Sequence, residues 1–154
     1  MPEVLFYHLE RRTLEDVLPS LLEKTRARGW KANIRVGSAE RMEALDNYLW
    51  TYSDQSFLAH GTSADGHSAN QPVYLTTEND NPNEADVLFL VDGAIVEKWV
   101  GNDLENFERV VILLDGGAQN AVSDARSAWT NAKEAGHEVT YWKESVSGKW
   151  ERQD

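Results

Sequence analysis

Chemistry in this chain would have to come from four histidines (His8, His60, His67 and His137), one glycine pair (Asp115-Gly116-Gly117), many carboxylates and six tryptophans. No two of the histidines share the i, i+3 or i, i+4 spacing that lets one helix face hold a metal. Asp80, Glu84 and Asp86 lie close together but lack the EF-hand spacing. His8 falls on an expected strand, where it would pack or face an edge, and His67 lies in polar sequence, where it would be solvated. His60 is expected to order its loop by hydrogen bonding rather than to act as a base. With no cysteine, thiol catalysis, disulfides and cysteine zinc sites are excluded, which fits a reducing cytoplasm.

Nucleotide chemistry needs glycines that let the backbone approach a pyrophosphate. The first strand is followed by Leu9-Glu10-Arg11-Arg12-Thr13, without a G-x-G-x-x-G run, and no G-x-x-x-x-G-K-[ST] occurs. Asp115-Gly116-Gly117 precedes a helix, so its amides could hold an anion; the other reading is a plain turn. The tryptophans, Trp30, Trp50, Trp99, Trp129, Trp142 and Trp150, suit either binding hot spots or core.

The elements that must position these residues are legible as periodicity. Glu3 to Leu9 reads as a nearly apolar, central strand. Thr13 can cap a helix carrying Leu14, Val17, Leu18, Leu21 and Leu22 at helical spacing, which Gly29 ends. Lys31 to Val36 reads as a strand, and Ser38 caps a second helix with Met42, Leu45 and Leu49 on one face. Thr51 to Gln71 is a long polar loop, the kind that usually has a task. Pro72 to Thr76 and Asp86 to Val91 are further strands, and Phe107 with Val110 to Leu114 suggests a short helix and a buried strand. Ala118 to Glu134 is a helix, and Glu138 to Lys143 a last strand. After Ser145 the chain is polar and expected to fray, except around Trp150. The result is one α/β domain over residues 1–145 with a polar tail over 146–154. Its expected architecture is a single open, mostly parallel sheet with helices on both faces, Rossmann-like without a nucleotide-binding loop.

At 154 residues and 41% apolar composition the chain can bury one sizeable core. The N-terminus has no basic region or long apolar run, so no signal peptide is expected, and no window approaches a membrane span. The net charge of −11, from 26 acidic and 15 basic residues, argues against direct nucleic-acid binding through phosphate contacts. Stacking of single-stranded DNA on tryptophans is a weaker alternative for the same reason.

Two regions carry a resemblance. The first is Ala44-Leu45-Asp46-Asn47-Tyr48-Leu49-Trp50, then Ser56-Phe57-Leu58-Ala59-His60-Gly61, where aromatic rings appear in a loop. The second is Ala125-Arg126-Ser127-Ala128-Trp129-Thr130-Asn131-Ala132-Lys133, then Ala135-Gly136-His137 and Tyr141-Trp142-Lys143. With the Phe6-Tyr7 strand, this ordered set resembles the chi subunit of bacterial DNA polymerase III, a clamp-loader accessory protein, over residues 3 to 143.

The resemblance implies an α/β fold without catalytic activity or cofactor. It also implies binding of the acidic C-terminal tail of single-stranded DNA-binding protein, which ties that protein to the clamp loader. A separate surface would serve the psi subunit or a helicase-like partner. Carried onto this chain, the tail site is Leu114, Arg126, Trp129, Thr130 and Lys133, and the second surface is Trp50 and Phe57. A terminal Pro-Phe needs a pocket for its ring, and cations for its carboxylate and the preceding acids. Thr130 stands where the family usually has Lys, and Lys133, one turn on, is placed to take that role. The alternative reading is a small nucleotide-binding protein or enzyme using Asp115-Gly116-Gly117.

Overall fold

The computed structural model describes residues 2–52, 58–96, 98–100 and 102–153. Seven strands form one sheet: β1 (Glu3–Leu9), β2 (Ala32–Val36), β3 (Val73–Thr76), β4 (Val87–Val91), β5 (Arg109–Asp115), β6 (Val139–Glu144) and β7 (Trp150–Gln153). The helices are α1 (Leu14–Ala27), α2 (Ala39–Thr51), α3 (Asn102–Glu105) and α4 (Gln119–Glu134). The spatial order is β3-β2-β4-β5-β1-β6-β7. Every pairing is parallel except β6 with β7, so the expected open α/β sheet is what forms.

The strand period of two divides the apolar residues between two cores. Along β4, Val87, Phe89 and Val91 enter the layer under α1 and α2, while Leu88 and Leu90 enter the layer under α3 and α4. Phe6 and Val4 of β1 join the second layer, and Leu9 the first. β2 and β4 are buried along their whole length, as parallel strands covered on both faces must be. Each fully buried Phe6, Leu18 or Leu88 side chain contributes about 1.5–3 kcal/mol of transfer free energy.

Local signals fix the helix starts. Thr13 Oγ1 accepts from Asp16 N–H at 3.2 Å and Asp16 Oδ2 accepts from Thr13 N–H at 2.9 Å, a reciprocal capping box. Ser38 Oγ accepts from Arg41 N–H at 3.2 Å to begin α2. Gly29, at φ +80°, takes the left-handed conformation that ends α1.

The C-terminal tail is ordered around Trp150, the exception the sequence allowed: Trp150–Gln153 runs back antiparallel along β6 with Glu144 opposite Trp150. The reason is a ring contact that polar composition hides. Trp150 meets Tyr7 edge-on at 5.0 Å, and the Arg12 guanidinium lies 5.4 Å from the Trp150 ring centroid. Next to it, the Glu144 carboxylate accepts the backbone N–H groups of Glu10, Arg11 and Arg12 at 3.2, 2.7 and 3.0 Å, and pairs with the Arg12 guanidinium. Burial pushes this carboxyl up, but the amides and guanidinium win and hold its pKa at about 2.

Candidate functional site

In an open α/β sheet the natural binding place is the crevice at the carboxyl ends of strands where neighbouring connections leave on opposite faces. Here α1 leaves β1 on one face and α4 leaves β5 on the other. A cleft of about 840 Å³ opens there, floored by Leu9, Leu90 and Leu114 and walled by Ala121, Ala125 and Ala128 of α4. A phosphate would need the amides of the two flanking turns, and both turns are occupied by the chain itself. Glu144 takes those of Glu10 to Arg12. In the other turn, Gly117 N–H donates to Asp115 Oδ1 at 2.8 Å and Gly116 N–H to Leu9 O at 2.7 Å. Asp115-Gly116-Gly117 is therefore a self-satisfied turn. Gly116 is needed there for space, because a Cβ would come within 2.3 Å of His8 Nε2.

Helix α4 positions the expected tail residues. Ala125 and Ala132 are buried, which turns Arg126, Thr130 and Lys133 outward on one stripe and leaves Trp129 half-buried at its edge. Arg126 lines a shallow cleft of about 450 Å³ with Gly116, Gly117, Val122 and Ser123. Trp129 packs against the same apolar layer as Leu114, and Lys133 Nζ lies 4.3 Å from its ring centroid. Thr130 Oγ1 donates to Arg126 O at 3.1 Å, so its hydroxyl is turned onto its own helix. Arg126 is thus brought to the glycine turn, and Trp129 to Lys133. Leu114 is buried and reaches the larger cleft on the other side of that turn.

Sequence reasoning did not single out Tyr141. Tyr141 stacks on Phe6 at 5.6 Å, and its hydroxyl lies 2.7 Å from His8 Nδ1. His8 Nε2 in turn is 2.8 Å from Glu10 Oε1. Burial pushes the Tyr141 phenol up and the nearby Arg126 guanidinium pulls it partly back. Only the β1–β6 register, Phe6 opposite Tyr141, reveals this neighbourhood.

The second expected surface lies at the other end of the sheet. Trp50, in the last turn of α2, is 48% exposed. Phe57 lies outside the described residues. His60 orders its loop as expected: it is buried, with Nδ1 2.6 Å from Leu58 O and Nε2 3.0 Å from Asp46 O. His8 is buried and packed, and His67 is exposed. Among the described residues no group of three His, Asp or Glu side chains could hold a metal. Among the same residues, no helix is long and apolar enough to cross a membrane.

Comparison with known proteins identifies the family. Residues 1–140 match the family described as "DNA polymerase III chi subunit, HolC". The chain is also 32% identical over 117 residues to the "Probable DNA polymerase III subunit chi" of Rickettsia prowazekii (strain Madrid E), covering 75% of this chain and 71% of that protein. That family is an accessory subunit rather than a catalytic one, as the resemblance implied. With a family match spanning residues 1–140 and a relative 32% identical, this chain belongs to the DNA polymerase III chi subunit family.

Proposed function

We propose that this chi-family chain docks the acidic C-terminal tail of single-stranded DNA-binding protein on the exposed face of α4 and so links that protein to the clamp loader. One observation carries the reading. On a chain of net charge −11, Arg126 and Lys133 are cations that no carboxylate meets among the described residues. Exposed cations wait for a partner cheaply, because water solvates them until the partner arrives. The cleft beside Arg126 has room for one aromatic ring, with Val122 and the Gly116-Gly117 backbone as its sides. Arg126 at its lip takes the terminal carboxylate, and Lys133, held over Trp129, takes a preceding acid. Trp50, with Phe57, serves a psi-type or helicase-like partner on a separate surface.

The test is calorimetry with a peptide ending Asp-Pro-Phe. The expected dissociation constant is on the order of micromolar, weakening as salt rises. Amidating the peptide's terminal carboxyl should abolish binding. An unchanged affinity in the double variant Arg126→Ala, Lys133→Ala would remove the assigned site. In extract, the chain as bait should recover single-stranded DNA-binding protein together with clamp-loader subunits.

A further inference from the structure

The C-terminal end of α1 carries a group of cations that tail docking does not use. Lys24 to Lys31 (Lys-Thr-Arg-Ala-Arg-Gly-Trp-Lys) holds four cations and no acid, in a chain where acids outnumber bases 26 to 15. The helix ends there in a tight turn: Gly29 takes φ +80°, and Trp30 N–H donates back to Thr25 O at 3.2 Å. The turn sets the Trp30 ring, half-buried, against the core layer beneath α1. Arg28 lies over that ring, its guanidinium carbon 4.2 Å from the centroid. Arg26 Nη1 donates to Trp30 O at 2.8 Å. Two guanidinium groups are thus ordered around one residue, and a stacked guanidinium keeps its in-plane N–H fork for an anion.

Lys24, Arg26 and Arg28 are exposed, and among the described residues no carboxylate pairs with them or with Lys31. Lys24 and Arg28 stand four apart along the helix, where like charges repel. The flanking acids have other partners. Glu3 pairs with Arg109, Asp86 accepts the Lys31 backbone N–H at 2.9 Å, and Glu23 accepts from the Tyr52 hydroxyl. The patch offers charge without a pocket. Neither cleft described above is lined by its residues, and the indole is taken by Arg28 and, at 5.5 Å, by Arg109. An acidic peptide would find no cleft for its side chains, and a nucleobase no open ring to stack on. A phosphate backbone needs neither, because released counter-ions supply its affinity. Residues two apart on a helix lie about 200° apart around its axis, so Arg26 starts from one side of the helix end and Lys24 and Arg28 from the other. A single strand can bend round to meet both sides, whereas a stiff duplex meets one. The net charge argues against nucleic-acid binding by the surface as a whole. At about 0.1 M salt, however, the Debye length is about 10 Å, and a bound strand feels chiefly the charges beside it.

We propose that the end of α1 binds the phosphate backbone of a single-stranded nucleic acid without reading its bases. The site lies on the opposite face of the sheet from α4 and does not depend on the tail reading.

The test is fluorescence anisotropy of a labelled oligothymidine of about 20 nucleotides, titrated with the full chain. The expected dissociation constant is on the order of 10⁻⁵ to 10⁻⁴ M at about 0.1 M salt. With four phosphates met, log affinity should fall against log salt with a slope of about −3. Arg28→Gln should weaken binding several-fold and make the slope shallower by about 0.7. Arg28→Lys, which keeps the charge and loses the stacked fork, should restore the slope but not the full affinity. Lys24→Gln, an exposed change within the helix, is the second variant should Arg28→Gln fail to fold, and it should flatten the slope by the same amount. Lys149→Gln, at the β6–β7 turn, should leave binding as it was. No binding at about 0.05 M salt, a slope that Arg28→Gln and Lys24→Gln both leave unchanged, or a duplex of the same length binding as tightly would each overturn the proposal. So would an oligoglutamate of equal charge that competes as well as the oligonucleotide, which would make the partner an acidic protein. The Asp-Pro-Phe peptide should bind Arg28→Gln as it binds the parent chain. Its failure on the parent would count against the α4 reading only.

Discussion

At the β1–α1 turn the Glu144 carboxylate is buried among three backbone amides and the Arg12 guanidinium. On α4 the Arg126 guanidinium stands exposed, with no carboxylate opposite it among the described residues. Both places offer donors suited to an anion. They differ in solvent. A carboxylate buried at the end of a sheet must have its charge met within the fold, or the fold loses its desolvation free energy. A guanidinium on a helix face is hydrated and carries no such debt. The same recognition chemistry therefore serves stability in one place and leaves a docking face in the other.

The comparison breaks most visibly at Glu144. Glu144→Ala leaves three amides and a guanidinium without their anion and should destabilise the protein by about 3 kcal/mol. For a chain of this size that lowers Tm by roughly 10 °C, readable by calorimetry. The carboxyl is held at about 2, below its ordinary value of 4.5. Its contribution is therefore complete above the ordinary value and lost as pH falls from there through about 2. The variant should show a shallower acid limb in that window.

Gly116→Ala comes next. Its Cβ would collide with the His8 ring and the Leu9 carbonyl, at 2.3 and 2.7 Å. The expected cost is about 1–3 kcal/mol, with the Arg126 cleft distorted as well. A stability unchanged by this variant would mean that the turn is looser than drawn.

Arg126→Ala with Lys133→Ala should act in the opposite sense to Glu144→Ala. Stability should stay within about 0.5 kcal/mol. Affinity for the acidic peptide should fall about tenfold, or about 1.4 kcal/mol. If stability fell instead, these cations would belong with Glu144 rather than with a partner. The smallest effect is Thr130→Lys, which adds a cation to the same stripe. It should tighten the acidic peptide about threefold, within the roughly 0.2–1 kcal/mol of an exposed pair, with a steeper salt dependence.

Much of this protein was legible in one dimension. Glu3 to Leu9 is a strand with the bounds its apolar run suggests, and Thr13 and Ser38 cap the helices they precede. Caps and periodicity are local, so neighbours in sequence suffice to read them. The helical spacing of Arg126, Thr130 and Lys133 likewise put them on one stripe. The aromatic neighbours were harder. Leu114 and Trp129 pack in one layer, but neither lines the cleft that Arg126 lines. Tyr141, which the sequence reading did not single out as a site residue, stands nearby because β6 pairs with β1.

The amino-acid order by itself determined the α/β class, the absence of a glycine phosphate loop and the resemblance to the chi family. Tertiary structure alone decided that Glu144 reaches the turn 134 positions away, that His137 bridges the carbonyls of Pro2 and Trp99, and that the tail returns as β7. Composition tells which face of an element is apolar. Which buried donor meets which acceptor depends on strand order and register, and those are set by the packing of the whole sheet.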